Sequence, residues 1–301
     1  MTSSLMDQKK TMDNVAVSPS QAIDKSVDGQ VVVVKFGGNA VQSATALETL
    51  IEDTITLVKQ GVKVIVVHGG GTAVNDALAA IGKKTEKVNG LRVTDSETLS
   101  VAVKTFVELN EQLTERFREK GGNALSFSSK SANPLIAEKM GPVYKGDERV
   151  DLGWVGDIVS IDQGLLESWL WAGWIPIVAP LGLDIDGHYY NINADHVALA
   201  VAAAIQADRL IFLTDVPGVL QSLDDPTSII RKLTPEKAAA CIDSGIISGG
   251  MLPKLKSCIT GLSRGIQQIA ILNSFESHAL MKGFTEPEAT GTLITGEEDA
   301  D

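Results

Sequence analysis

The sequence predicts an α/β fold built around a mainly parallel sheet. Two β-branched runs, Val31-Val32-Val33-Val34-Lys35-Phe36 and Val64-Ile65-Val66-Val67-His68, stop at the glycine clusters Gly37-Gly38 and Gly69-Gly70-Gly71 and pass into helical patterns. Strand and helix signals then alternate up to Thr292-Leu293-Ile294, the pattern of a sheet covered on both faces. With 301 residues, 44% of them hydrophobic, and 28 glycines, the chain can bury a full core and turn tightly between elements.

Residues 1–28 read as an N-terminal extension. Ser18-Pro19-Ser20-Gln21 has the form of a capping box with proline at the first helical position, which predicts a short helix up to Val27. A strand over 30–36 leads to a helix over 44–59, where Ala46, Leu50, Ile51, Ile55 and Val58 recur at helical spacing. A second strand, 62–67, precedes a helix over 72–81. Asn89-Gly90 predicts a two-residue turn closing a hairpin within 83–94. Leu99, Val103, Phe106, Leu109, Leu113 and Phe117 form one stripe of a long helix, 96–120. A strand near 123–127, a hairpin region over 134–157, a helix over 162–172 and a strand over 174–179 follow, and Asp186-Gly187 marks another hairpin. The second half repeats the alternation, with helices over 195–206, 235–243, 251–264 and 276–282 and strands over 209–213 and 268–272. Residues 297–301 are an acidic tail.

Lys and Arg total 26 against 38 Asp and Glu, a net charge of −12. A general basic surface for nucleic acid is therefore excluded, and an anionic ligand must be held by local cations and backbone amides. Cys241 and Cys258 sit in helical patterns without metal-ligand spacing and read as buried thiols in a reducing compartment. Neither a secretion signal nor an apolar run of roughly 18 residues is present, so a soluble, cytoplasmic protein is expected, with no membrane partner.

The glycine clusters fit neither G-x-x-x-x-G-K-[ST] nor G-x-G-x-x-G. Physically they still let a ligand approach the backbone without a Cβ in the way, although tight β–α turns alone would also account for them. Lys35, directly before Gly37-Gly38 on an apolar strand, stands within reach of a phosphoryl group held by such amides; snorkelling to solvent is the alternative. Asn191-Ile192-Asn193-Ala194-Asp195 carries more polar groups than one helix cap needs, and an Asp there can accept from two lysines. Lys254 and Lys256 open a helix, against its dipole, so each needs an anion or must point into water. Arg92 beside the Asn89-Gly90 turn suits a carboxylate. His68 reads as structural, and His188, His196 and His278 lack ligand spacing, so no protein-held metal is expected.

These stretches, taken in order, resemble the amino-acid kinase family, and within it the branch that phosphorylates N-acetyl-L-glutamate for arginine biosynthesis. The residues that carry the resemblance are Lys35-Phe36-Gly37-Gly38-Asn39-Ala40, His68-Gly69-Gly70-Gly71, Asn89-Gly90-Leu91-Arg92-Val93-Thr94, Asp151-Leu152-Gly153-Trp154-Val155-Gly156, Asn191 to Asp195, Leu213-Thr214-Asp215-Val216-Pro217-Gly218-Val219, and Gly250-Met251 followed by Lys254. The resemblance implies an open αβα sandwich of the carbamate kinase-like type, a single domain over 29–301. Its N-lobe, 29–183, would bind the acceptor and its C-lobe, 184–296, the nucleotide.

The resemblance further implies transfer of the γ-phosphoryl of ATP, carried with Mg²⁺, to the acceptor's side-chain carboxylate. Lys35 and Lys254 would stabilise the transferring group and Asp195 would organise both. Gly38, Gly70 and Gly71 would supply amides, and Arg92 and Asn191 would hold the acceptor. Thr214, Asp215 and Gly218, with Ile247 and Ser248, would border the nucleotide. An ionised carboxylate acceptor needs no general base, which agrees with the lack of an obvious one.

Two departures stand out. Residues 126–133 lack the Gly- and Asp-containing pattern usual there, and the extension lacks the apolar-aromatic helix of arginine-inhibited hexamers, so a homodimer is expected. A kinase of a related amino-dicarboxylate and a catalytically silent regulatory homologue are the alternative readings.

Overall fold

A computed structural model describes residues 27–222, 224–247 and 250–296. The expected helix at 18–27, the acidic tail and Ser248 lie outside the described residues, apart from Val27 itself. The chain begins with β1 (Val31–Phe36), a short α1 (Gly38–Gln42), α2 (Ala44–Lys59), β2 (Lys63–His68) and α3 (Gly71–Ala80). The hairpin β3 (Lys87–Val88) and β4 (Leu91–Arg92) precedes α4 (Ser96–Glu119) and β5 (Ala124–Phe127). The expected hairpin region resolves into four strands, β6 (Leu135–Lys139), β7 (Val143–Lys145), β8 (Glu148–Val150) and β9 (Gly156–Ile161). Next come α5 (Gln163–Trp171), β10 (Ile175–Val178), β11 (Leu181–Leu183) and β12 (Tyr189–Asn191). The remainder comprises α6 (Ala194–Ala204), β13 (Arg209–Thr214), β14 (Lys232–Leu233), α7 (Pro235–Asp243), α8 (Met251–Ser263), β15 (Gln268–Asn273), α9 (Ala279–Thr285) and β16 (Thr292–Thr295).

Eight strands form the main sheet in the order β14-β16-β15-β13-β1-β2-β10-β5. The six from β15 to β5 run parallel, while β16 pairs antiparallel with β15 and carries β14 beside it. A second sheet, β12-β11-β6-β9, and the ribbons β3-β4 and β7-β8 complete the strand structure.

Side-chain alternation along β1 assigns the two faces. Val32, Val34 and Phe36 pack with Leu50 and Ile51 of α2, Phe117 of α4 and Leu280 of α9. Val33 faces the other way, into a cluster with Val197 and Val201 of α6 and Leu255 of α8. The same period turns Lys35 towards α6. Burial on both faces explains why β1 and β2 read as nearly continuous apolar runs.

Strand β1 has β2, from the first half, on one side and β13, from the second half, on the other. In open α/β sheets the crevice beyond the carboxyl ends at such a switch point is where ligands bind. Here those ends are Gly37-Gly38, Gly69-Gly70-Gly71 and Thr214-Asp215. Among the described residues, no helix is long and apolar enough to cross a membrane.

Candidate active site

Three strand ends are stitched together by their own backbones. The Gly37 N–H donates to Leu213 O at 3.0 Å, and the Gly69 N–H donates to Phe36 O at 2.7 Å. Glycine suits this close approach: a Cβ on Gly69 would lie 3.1 Å from Gly38 N and 3.2 Å from Phe36 O, tighter than an ordinary contact. The two glycine turns therefore face each other, and the positions of Gly70 N and Gly71 N are both 3.6 Å from where a Gly38 Cβ would be.

Lys35 points from β1 at the first turn of α6. There the polar residues of 191–195 divide their work. Asn193 caps the helix by accepting from the Asp195 N–H at 2.8 Å, which frees the Asp195 side chain. Its Oδ2 accepts from Lys254 Nζ at 2.5 Å, and its Oδ1 lies 2.9 Å from Lys35 Nζ as an ion pair. Both lysines are about nine-tenths covered, with side chains 12% and 10% exposed. Lys254 opens α8 against the helix dipole, and the compensating anion is Asp195. Its ammonium also sits 4.6 Å above the Phe212 ring of β13.

The electrostatics follow from this crowding. Burial lowers the Lys35 pKa, as does the charge of Lys254, while Asp195 opposes both. For Asp195 burial pulls upward, but the two ammonium groups win and hold its carboxyl well below the usual carboxylate range. The carboxylate thus stays ionised and binds both cations in place.

Two adjoining cavities share Lys35 of this cluster; Asp195 borders the first of them, and Lys254 stands behind Asp195, bordering neither. One, of about 280 Å³, is bordered by Lys35, Gly38, Gly70, Gly71, Arg92, Asn191 and Asp195. The other, of about 240 Å³, is bordered by Lys35, Gly38, Asn39, Thr72, Thr214 and Asp215. Arg92 is buried and held by its own fork, Nη1 donating to Thr85 Oγ1 and Nη2 to Gly71 O, each at 3.0 Å. Asn191 donates to Thr94 Oγ1 at 3.2 Å, and the Asp151–Gly156 stretch packs on the same threonine through Trp154 N to Thr94 O.

Gly218 and Ile247 border neither cavity. A Cβ at Gly218 would meet Thr292 Oγ1 at 2.7 Å, and Ile247 is buried in the core on the α6 face. The hairpin tip brings Asp184, Asp186 and His188 together, but Asp184 spends its oxygens on the turn, accepting from the N–H groups of 186 and 188 and pairing with His188 Nδ1.

Three more residues, Lys87, Asn39 and Thr72, line the cavities without a motif that marks them in the sequence as site residues. Lys87 on β3 borders both cavities, and its only signal was a lysine two positions before the Asn89-Gly90 turn. Asn39 donates to Asp215 Oδ2 at 2.9 Å and accepts from Thr72 Oγ1 at 3.1 Å, linking the first glycine turn to β13 and to α3. No spacing in the chain announces that bridge.

The model of the amino acid kinase family matches residues 30–273. The chain belongs to the amino acid kinase family. It is 39% identical over 272 residues to an acetylglutamate kinase of Methanocaldococcus jannaschii, across 89% of this chain and 91% of that relative. Among solved structures it is similar to the N-acetylglutamate synthase of Neisseria gonorrhoeae, with a TM-score of 0.80, 24% identity and 91% of this chain covered. The chain spans 61% of that synthase's length. A carbamate kinase of Giardia lamblia aligns over 89% of this chain and 99% of its own with a TM-score of 0.62 and 16% identity. These two structures bear on the fold alone, and they agree with the open α/β sandwich expected from the sequence.

Proposed function

We propose that the chain is an ATP-dependent kinase of the side-chain carboxylate of N-acetyl-L-glutamate, a step of arginine biosynthesis. The observation that carries this reading is the convergence of Lys35 and Lys254, from opposite halves of the chain, on Asp195 at the edge of the first cavity, with Lys35 bordering both cavities. The acceptor lies in the first cavity, its α-carboxylate side held by Arg92 and Asn191. The triphosphate enters from the second, past Thr214 and Asp215.

An acceptor carboxylate oxygen attacks the γ-phosphorus as the bond to the β,γ-bridging oxygen breaks. ADP leaves and N-acetyl-L-glutamyl 5-phosphate remains. No proton moves, because the acceptor is already ionised at neutral pH. The work left to the protein is alignment and charge neutralisation. Lys35, Lys254 and the amides of Gly38, Gly70 and Gly71 supply it, and loss of either lysine costs at least ~3 kcal/mol of transition-state stabilisation. Mg²⁺ belongs to the nucleotide substrate, carried on phosphate oxygens and water. The donor set here, ammonium groups and glycine amides, fits phosphate oxygens rather than a bare metal.

Incubation with MgATP, N-acetyl-L-glutamate and hydroxylamine traps the acyl phosphate as a hydroxamate. N-acetyl-L-aspartate and L-aspartate in parallel test acceptor identity, and folded protein giving no product with any of them rejects the assignment. A homodimer is the assembly this reading expects, tested by particle mass in solution.

A further inference from the structure

We propose that His68 is a positioning residue for phosphoryl transfer: its Nδ1–H holds the Gly69 carbonyl inward and so turns the Gly70 N–H out towards Gly38 and Lys35. The inference rests on the kinase reading above and assigns a task to a side chain that reading does not use.

His68 ends β2 and is fully buried, with Nδ1 2.8 Å from Gly69 O. A carbonyl only accepts, so Nδ1 carries the hydrogen. Burial lowers the ring's pKa to about 4, so the imidazole is neutral and Nε2 is a bare lone pair. That Nε2 has no hydrogen-bond partner. Among the described residues, donation to Gly69 is thus the ring's one polar contact. A residue chosen for volume alone would not bury an unsatisfied nitrogen, which costs free energy. The donor is the reason to accept it.

Peptide geometry converts this bond into an orientation. In a trans peptide the C=O and the next N–H point in opposite directions. Pinning Gly69 O towards the interior therefore aims Gly70 N–H away from it, on the side where Gly38 lies. Among the described residues, the Gly70 amide gives its hydrogen to no other backbone group. The floor beneath is rigid: a Cβ at Gly70 would meet Phe106 and Leu109 at 2.9 Å, and the Phe106 ring centroid is 6.3 Å from that of His68. At the far side of the turn Arg92 holds Gly71 O. The second glycine turn is thus gripped through its carbonyls so that its amides face the site.

Two measurements test this. In ¹⁵N-labelled wild-type protein, two-bond ¹H–¹⁵N correlations should place the His68 proton on Nδ1, with no titration between about pH 5.5 and 8. The Nε2–H tautomer, or titration in that span, overturns the proposal whatever the activity. In the hydroxamate assay, His68→Leu fills the space without a donor, and His68→Asn retains one near the Nδ1 position. His68→Leu should lower kcat by about 100-fold with the acceptor KM within about threefold, and His68→Asn should recover at least about tenfold of that loss. Equal kcat for the two folded variants, or wild-type kcat in His68→Leu, overturns it. If His68→Leu does not fold, the tautomer and the comparison of His68→Asn with wild type decide. A wild-type protein with the expected tautomer but no hydroxamate rejects the kinase reading instead.

Discussion

Replacing Asp195 by Asn removes the one anion between two ammonium groups while keeping the side chain's size. Its oxygens lie 2.9 Å from Lys35 and 2.5 Å from Lys254. At an effective dielectric of about 20, unit charges about 3 Å apart attract by about 5 kcal/mol, and desolvation offsets much of that. The carboxylate is 22% exposed, so water screens part of the remainder. Breaking such a shared pair should cost about 3 kcal/mol of stability, read as a lower urea midpoint. The rate should suffer through both lysines, with kcat down about 10²–10³-fold as each loses its aim. A pH signature accompanies the loss. Burial and Lys254 lower the Lys35 pKa while Asp195 raises it, so the substitution pushes it further down. The remaining activity should therefore fall as pH rises and Lys35 loses its proton. ADP release at saturating MgATP and N-acetyl-L-glutamate reads both effects. A folded Asp195→Asn protein with kcat within about fivefold of wild type would refute the reasoning.

Arg92→Lys keeps the charge but loses the fork to Thr85 and Gly71, and should raise the acceptor KM about 10–100-fold; a rise in the ATP KM alone would contradict the placement of Arg92. His68 should make wild type acid-sensitive. Its folded pKa of about 4 lies below the ordinary 6.5, so the unfolded chain binds the proton first as pH falls. Stability should drop by about 3 kcal/mol from this group between pH 7 and 4, and that contribution should vanish in His68→Asn urea melts. Asp53, buried on α2, pairs with His278 Nδ1 at 2.7 Å and accepts from Met281 N at 3.3 Å, tying α9 to α2. Asp53→Ala should cost about 3 kcal/mol in the same melts with kcat unchanged.

Much of the fold was legible because the signals are local. Helix α2 begins and ends where its apolar spacing indicates, and the structure adds a cap, the Ser43 side chain accepting from Ala46 N. Asn89 and Gly90 both take positive φ, 51° and 83°, as a two-residue hairpin turn requires. Misses occurred where an element is too short for a period or where one residue's backbone shifts a boundary. Helix α1 has five residues and β14 two. Helix α9 starts at Ala279 rather than 276 because His278 adopts a left-handed conformation, φ 55°. In the site, lysines beside glycines and an aspartate at a helix start were readable by chemical type alone.

By itself the order of residues determined which segments are strands, which face of each is apolar, and that cations must gather near exposed amides in a chain of net charge −12. Such properties follow from repeats two or 3.6 residues long, which the chain carries wherever it lies. Tertiary structure alone decided that β13 lies against β1, since no local rule ranks strands within a sheet. That neighbour relation brings Asn39 to Asp215, 176 positions away, and the packing of α6 on α8 brings Lys254 to Asp195, 59 positions away. It decided also which way a carbonyl faces at Gly69, because a peptide plane is oriented by what packs behind it.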